Sequence, residues 1–272
     1  MLRQLDIQRG LFPDEYQSVE LDGQQYVYVL RENTTPITRG VAVLIADSGV
    51  SMLSQQGLAM LATNLNGLGW TTLLLSAPDT AFYPLLEQEA VAEENNSAAS
   101  TEEVTPQATT EQLPQSTHNK TAEKSFDPIA FNNHQADLIK LLDVAEKKVE
   151  EYPGFYLVVG QGTTAAWLTK IFAEAKSNIP DAFVAISPFW PDRDYNRQLP
   201  LLMARNPMPV LDIYSLNDNY WALSTTKIRQ SSALKGLKLH YRQRQLVGNP
   251  QAQQKSNYLA KEMYGWLSNM GW

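Results

Sequence analysis

The sequence predicts an α/β protein with a mostly parallel sheet covered by helices on both faces, a three-layer sandwich. Three observations predict it. Apolar runs of strand length recur along the chain, among them GVAVLIA at 40–46, FYLVV at 155–159 and AFVAIS at 182–187. Their near-continuous hydrophobicity is that of strands buried on both faces. Segments with apolar residues at helical spacing alternate with them, as connections between parallel strands require.

The elements follow in order. QQYVYVLRE at 24–32 alternates and is rich in β-formers, so it reads as an early strand. The run 40–46 ends in the turn signal Asp47-Ser48-Gly49. Leu58, Leu61, Ala62 and Leu65 predict a helix over 55–67, stopped at Gly69, before a strand at 70–76. Asp127 is placed to cap a helix that begins at Pro128 and runs to about residue 151. Strand 155–159, helix 163–175 and strand 182–187 come next. Strand 209–215, helix 221–233, strand 238–244 and helix 252–269 complete the chain. A single domain over 1–272 is expected, interrupted at 87–124. That segment is Glu, Ala, Ser, Thr, Asn and Gln with almost no large apolar residue, so it is expected to be a disordered surface insertion.

Composition removes several function classes. The net charge of −7 disfavours nucleic acid as a partner, since binding it needs a basic surface. With no cysteine, disulfides and thiol chemistry are excluded. No His/Asp/Glu group has a metal-ligand spacing, no phosphate-loop or dinucleotide motif is present, and no cofactor is expected. No apolar stretch of about 18 residues occurs, so no transmembrane segment is expected. Residues 1–10 lack the apolar core of a signal peptide, which fits a cytoplasmic chain or an exported one whose leader is gone.

In a doubly wound sheet, chemistry gathers at the carboxyl ends of the strands. There FYLVV runs into Gly160-Gln161-Gly162-Thr163-Thr164-Ala165-Ala166 and then a helix. This has the form of the nucleophile elbow of α/β-hydrolases, G-x-S-x-G, with triad order nucleophile, acid, histidine. Gly160 and the small residues 164–166 permit strand and helix to approach closely. The nucleophile position falls on Gly162, which supplies no reactive atom. Thr163 is a weak substitute, because its side chain is expected to point away from the tip.

Asp218, after strand 209–215, matches the acid position, although an ordinary turn carboxylate would look the same. Asp212, within that strand, is expected to pair inside the fold. No histidine follows the last strand: His118 falls in the insertion, His134 near a helix start and His240 inside the strand. Two of three triad members are therefore missing, and the members act as a unit. Ser48-Gly49 occupies the place of an oxyanion-hole loop. Ser187, before Pro188-Phe189-Trp190, is the other strand-end serine and a candidate displaced nucleophile.

The runs VLIADSG at 43–49, LNGLGWTTLLLSAP at 65–78 and VVGQGTTAAW at 158–167 resemble an uncharacterised proteobacterial family of α/β-hydrolase-like proteins, domain of unknown function family 3530. The resemblance covers residues 5–270 outside the insertion. It implies an α/β-hydrolase fold with a degenerate elbow and, because members commonly carry export signals, a periplasmic location; it brings no established activity. The expectation is a pseudo-enzyme that binds a protein partner or small ligand. Ser48, Gly49, Gln161, Gly162 and Asp218 are its candidate contacts, since helix N-terminal N–H groups suit an anion. The alternatives are a serine-type ester hydrolase using Ser187 or Thr163 with Asp218, and an assembly component tethered by the acidic insertion.

Overall fold

A computed structural model describes residues 11–12, 15–21, 24–54, 58–78, 127–175, 178–248 and 256–272. The expected insertion at 87–124 lies outside them. The strands are β1 (Gln17–Leu21), β2 (Gln24–Arg31), β3 (Gly40–Ile45), β4 (Trp70–Leu75), β5 (Phe155–Gln161), β6 (Ala182–Ile186), β7 (Val210–Ser215) and β8 (Tyr241–Leu246). They form one sheet in the order β1-β2-β4-β3-β5-β6-β7-β8. β1 and β2 are antiparallel to their neighbours, and every pairing from β4 through β8 is parallel. The helices are α1 (Ala59–Asn66), α2 (Pro128–Val149), α3 (Gly162–Glu174), α4 (Arg193–Arg205), α5 (Tyr220–Lys235) and α6 (Ser256–Asn269).

Two apolar clusters flank the sheet. One joins Phe131, Leu138, Trp167, Phe172, Leu199 and Met203 of α2, α3 and α4 to Val43 and Val158. The other joins Leu61, Leu65, Leu259 and Met263 of α1 and α6 to Leu44 and Val159. Alternate residues of β3 and β5 thus face opposite layers, which is why both strands are apolar throughout. Asp127 caps α2 by accepting from Ile129 N–H at 3.0 Å. Among the described residues no helix is long and apolar enough to cross a membrane.

Four elements differ from the sequence expectation. β1 pairs with β2 over residues to which the sequence analysis assigns no element. α4 forms despite Pro200 inside it, because Asp192 Oδ1 caps it from Asp194 and Tyr195 N–H at 2.9 and 3.0 Å and Leu199, Leu202 and Met203 face the core. α1 begins at Ala59, with no side-chain cap at Leu58. β8 begins at Tyr241, so His240 is not within the strand: it lies exposed in the preceding turn, with φ +57°.

A buried ion pair ties α5 to the sheet. Arg229 Nε and Nη2 donate to Asp212 Oδ2 and Oδ1 at 2.8 and 3.2 Å, and both side chains are wholly buried. Tyr241 OH and Gln243 Nε2 also donate to Asp212 Oδ2, at 2.7 and 2.8 Å. The carboxylate is thereby satisfied within the fold, as a buried charge must be.

Candidate functional site

The register of the sheet places the site. Ile45 pairs with Gly160, Gln161 with Ile186, and Ile186 with Ile213. The residues just beyond these pairs, Asp47, Gly162 and Ser187, therefore meet at the carboxyl end of the sheet.

β5 turns into α3 at Gly162, whose φ of +59° is a left-handed conformation that glycine adopts without steric cost. The turn is tight. A Cβ on Gly160 would sit 2.6 Å from Leu168 Cδ1 and 3.0 Å from Ala165 Cα, so the close strand–helix approach expected from these small residues is present. A Cβ on Gly162 would sit 2.2 Å from Asp47 Oδ2. The space beside the turn's tip is filled by a carboxylate.

That carboxylate is held by the helix it faces. Asp47 Oδ1 accepts from Thr163 N–H and from Thr163 Oγ1, each at 2.7 Å. Backbone N–H groups of Thr164 and Ser48 also favour its charged form. Burial works against them and is the larger effect, raising the Asp47 pKa above its ordinary value. The turn 47–50 is closed by Val50 N–H donating to Asp47 O at 2.9 Å. Ser48 is buried, its Oγ 3.3 Å from Thr164 Oγ1, while Gly49 is exposed. Gln161 and Thr163 are buried as well. Thr163 does not point away from the tip as expected: its hydroxyl is engaged with Asp47.

Sequence reasoning missed Asp47, taking it for part of a turn signal. The available signal was its position two residues beyond a central strand, beside a turn that carries glycine at its tip.

Ser187 ends β6 with φ +49°, unusual for a residue with a Cβ. It is buried, and its N–H donates to Ile213 O at 2.7 Å. Its hydroxyl makes no hydrogen bond of standard geometry, yet it lies near enough to Asp218 to lower that carboxyl's pKa. Burial is the larger effect on Asp218 and raises it overall. Asp218 Oδ2 accepts from Ser215 N–H at 2.8 Å, the local turn bond anticipated for it. The structure thus brings Ser187 and Asp218 together.

His240 lies at the amino end of β8, opposite the site. His134 is buried in α2, its ring 5.1 Å from that of Trp167, and burial pulls its pKa to about 4. His118 is outside the described residues. Phe131 stacks on Tyr195 at 3.8 Å and meets Trp167 at 3.7 Å, with Trp190 edge-on to Trp167 at 5.6 Å. These rings fill the face of the sheet beside the turn. Among the described residues no group of three His, Cys, Asp or Glu could hold a metal ion.

The family model for the protein of unknown function DUF3530 matches residues 2–269. No curated protein matches the sequence. Among solved structures, Est1E from Butyrivibrio proteoclasticus superposes with a TM-score of 0.58 at 11% identity, covering 93% of this chain and 99% of that one. Dienelactone hydrolase from Anabaena variabilis gives 0.57 at 14% identity, covering 94% and 98%. XC6422 from Xanthomonas campestris, an α/β serine hydrolase without lid, gives 0.56 at 15% identity, covering 96% and 97%. At these identities the likeness shows an α/β-hydrolase-like fold and nothing about chemistry.

Proposed function

As the chain belongs to the DUF3530 family, which brings a fold but no activity, we propose that it is a non-catalytic α/β-hydrolase-like protein that acts by binding a partner or small ligand. One observation carries this reading: the Asp47 carboxylate occupies the space that a side chain at position 162 would need, 2.2 Å from its Cβ. In a hydrolase of this fold, the N–H after the nucleophile stabilises the oxyanion. Here that N–H belongs to Thr163 and is already given to Asp47. The chain supplies its own anion to the helix N-terminus, which suits a closed site rather than turnover.

A ligand at this turn must compete with Asp47. Gly49 is the exposed edge from which it would enter, and Ser48, Gln161, Gly162 and Asp218 are the neighbouring contacts. A periplasmic setting, where many family members are expected, belongs to the same proposal; a cytoplasmic one is the alternative.

The second reading, a relocated serine hydrolase, draws on the left-handed Ser187 beside Asp218. It needs a base near Ser187. Purified protein challenged with short and long acyl esters, thioesters and an amide, alongside a fluorophosphonate, separates the two. The expected result is no turnover and no labelling. Labelling abolished by Ser187→Ala or Thr163→Ala would replace the first reading with the second.

A further inference from the structure

The turn from α5 into β8 lies at the amino ends of the strands, opposite the candidate site. Within six residues it presents Leu234, Leu237 and Leu239, exposed by 69%, 84% and 79%. The turn is firmly built. Leu237 N–H donates to Leu234 O at 3.1 Å and Lys238 N–H to Ala233 O at 3.0 Å. Lys238 Nζ folds inward to Met208 O at 2.8 Å and to Asn206 O. Leu237 and His240 both hold left-handed φ values, +49° and +57°. A branched side chain is disfavoured there and glycine would be easier, so an exposed leucine at that position calls for a role.

The surroundings are basic. Arg205 and Lys235 are exposed at the ends of α4 and α5, and a Cβ on Gly236 would lie 3.7 Å from Ala204, so the two helix ends adjoin. Of the nearby cations Arg229 is buried against Asp212, Lys238 is turned inward and Arg244 pairs with Glu262, leaving Arg205 and Lys235 beside the leucines. Among the acids, Asp212 and Asp218 are engaged within the fold, Asp194 is at the far end of α4, and Asp181, just before β6, accepts from Tyr156 N–H at 2.8 Å.

We infer that this turn is a peripheral docking surface for a bilayer bearing anionic headgroups, with Leu237 and Leu239 entering the interface and Arg205 and Lys235 meeting the phosphates. Charge complementarity selects the occupant: the exposed cations Arg205 and Lys235 beside the exposed leucines are drawn to anionic headgroups. Leucines rimmed by Lys and Arg are the composition of interfacial segments. Protein hot spots favour Trp and Tyr, and leucine is under-represented in them.

The test is flotation of the full chain with phosphatidylcholine vesicles, with or without about one-third phosphatidylglycerol. Binding to the anionic vesicles alone is expected, weakened about tenfold or more by Leu237→Ser/Leu239→Ser, and weakened with a shallower salt dependence by Arg205→Gln/Lys235→Gln. Thermal melts check folding; should the leucine pair unfold, the Arg205/Lys235 pair decides. Equal retention on both vesicles, no flotation, or unchanged binding by the substituted chains overturns the inference. So does loss of self-association in sedimentation on removing the leucines, which would assign the surface to a second copy.

Discussion

Thr163 gives both of its hydrogen bonds, from backbone N–H and from Oγ1, to a single oxygen of Asp47, at 2.7 Å each. Replacing Asp47 with Ala leaves two buried donors without their acceptor. The expected loss is about 1–3 kcal/mol of unfolding free energy, read by chemical denaturation. Excess sodium formate should then raise the melting temperature of Asp47→Ala more than sodium chloride does, and leave the parent chain unaffected. If formate and chloride act alike, the turn is not an anion cradle.

Gly162→Ser puts a Cβ 2.2 Å from Asp47 Oδ2 on a backbone with φ +59°. Overpacking and left-handed strain together should cost about 2–4 kcal/mol. Adding Asp47→Gly should recover the overpacking share, so the two substitutions couple in a double-mutant cycle. Additive losses would show that they do not compete for one space. Neither variant is expected to react with a fluorophosphonate, since a serine alone lacks its base.

Asp212 and Arg229 are each other's compensation in a wholly buried setting. Arg229→Met alone strands the carboxylate and should destabilise by about 3–5 kcal/mol. The paired change Asp212→Leu/Arg229→Met should cost much less than the two single losses summed. A paired loss equal to that sum would mean that Tyr241 and Gln243 hold Asp212 independently of the arginine.

Burial keeps the His134 imidazole neutral by lowering its pKa from 6.5 to about 4. Between those values the unfolded chain takes up a proton that the folded chain refuses. Stability should therefore fall as pH drops from 6.5 towards 4, by on the order of 3 kcal/mol in total. His134→Phe should remove that part of the slope. Asp47 contributes with the opposite sign, because its raised pKa favours the folded state at low pH and loses that stability as pH rises above 3.8. The difference between parent and His134→Phe chains isolates the histidine; identical slopes would contradict its burial as a neutral group.

The central strands were legible because burial on both faces leaves an unbroken apolar run, as in Val41–Leu44 and Leu157–Val159. The turn at 160–163 was legible from its glycines. Asp47 was not, because its partner Thr163 is 116 residues away and meets it only through the pairing of β3 with β5. α4 was obscured by Pro200 and by its arginines; the usable signal was Asp192 as a cap with apolar residues at 195, 199, 202 and 203. The start of β8 was misplaced because Lys238 and Leu239 look like strand residues, whereas Lys238 turns inward to carbonyls and Leu239 faces solvent.

The indoles of Trp167 and Trp190 have no solvent exposure and meet edge-on at 5.6 Å and 81°. Two chromophores fixed so close together couple electronically, and their rigid, asymmetric surroundings give near-ultraviolet circular dichroism that a mobile pair would average away. Phe131 and Tyr195 lock the same stack from α2 and α4. Anything that enters among α2, α3 and α4 must part these rings, so the protein carries its own optical gauge of whether that face of the sheet is shut.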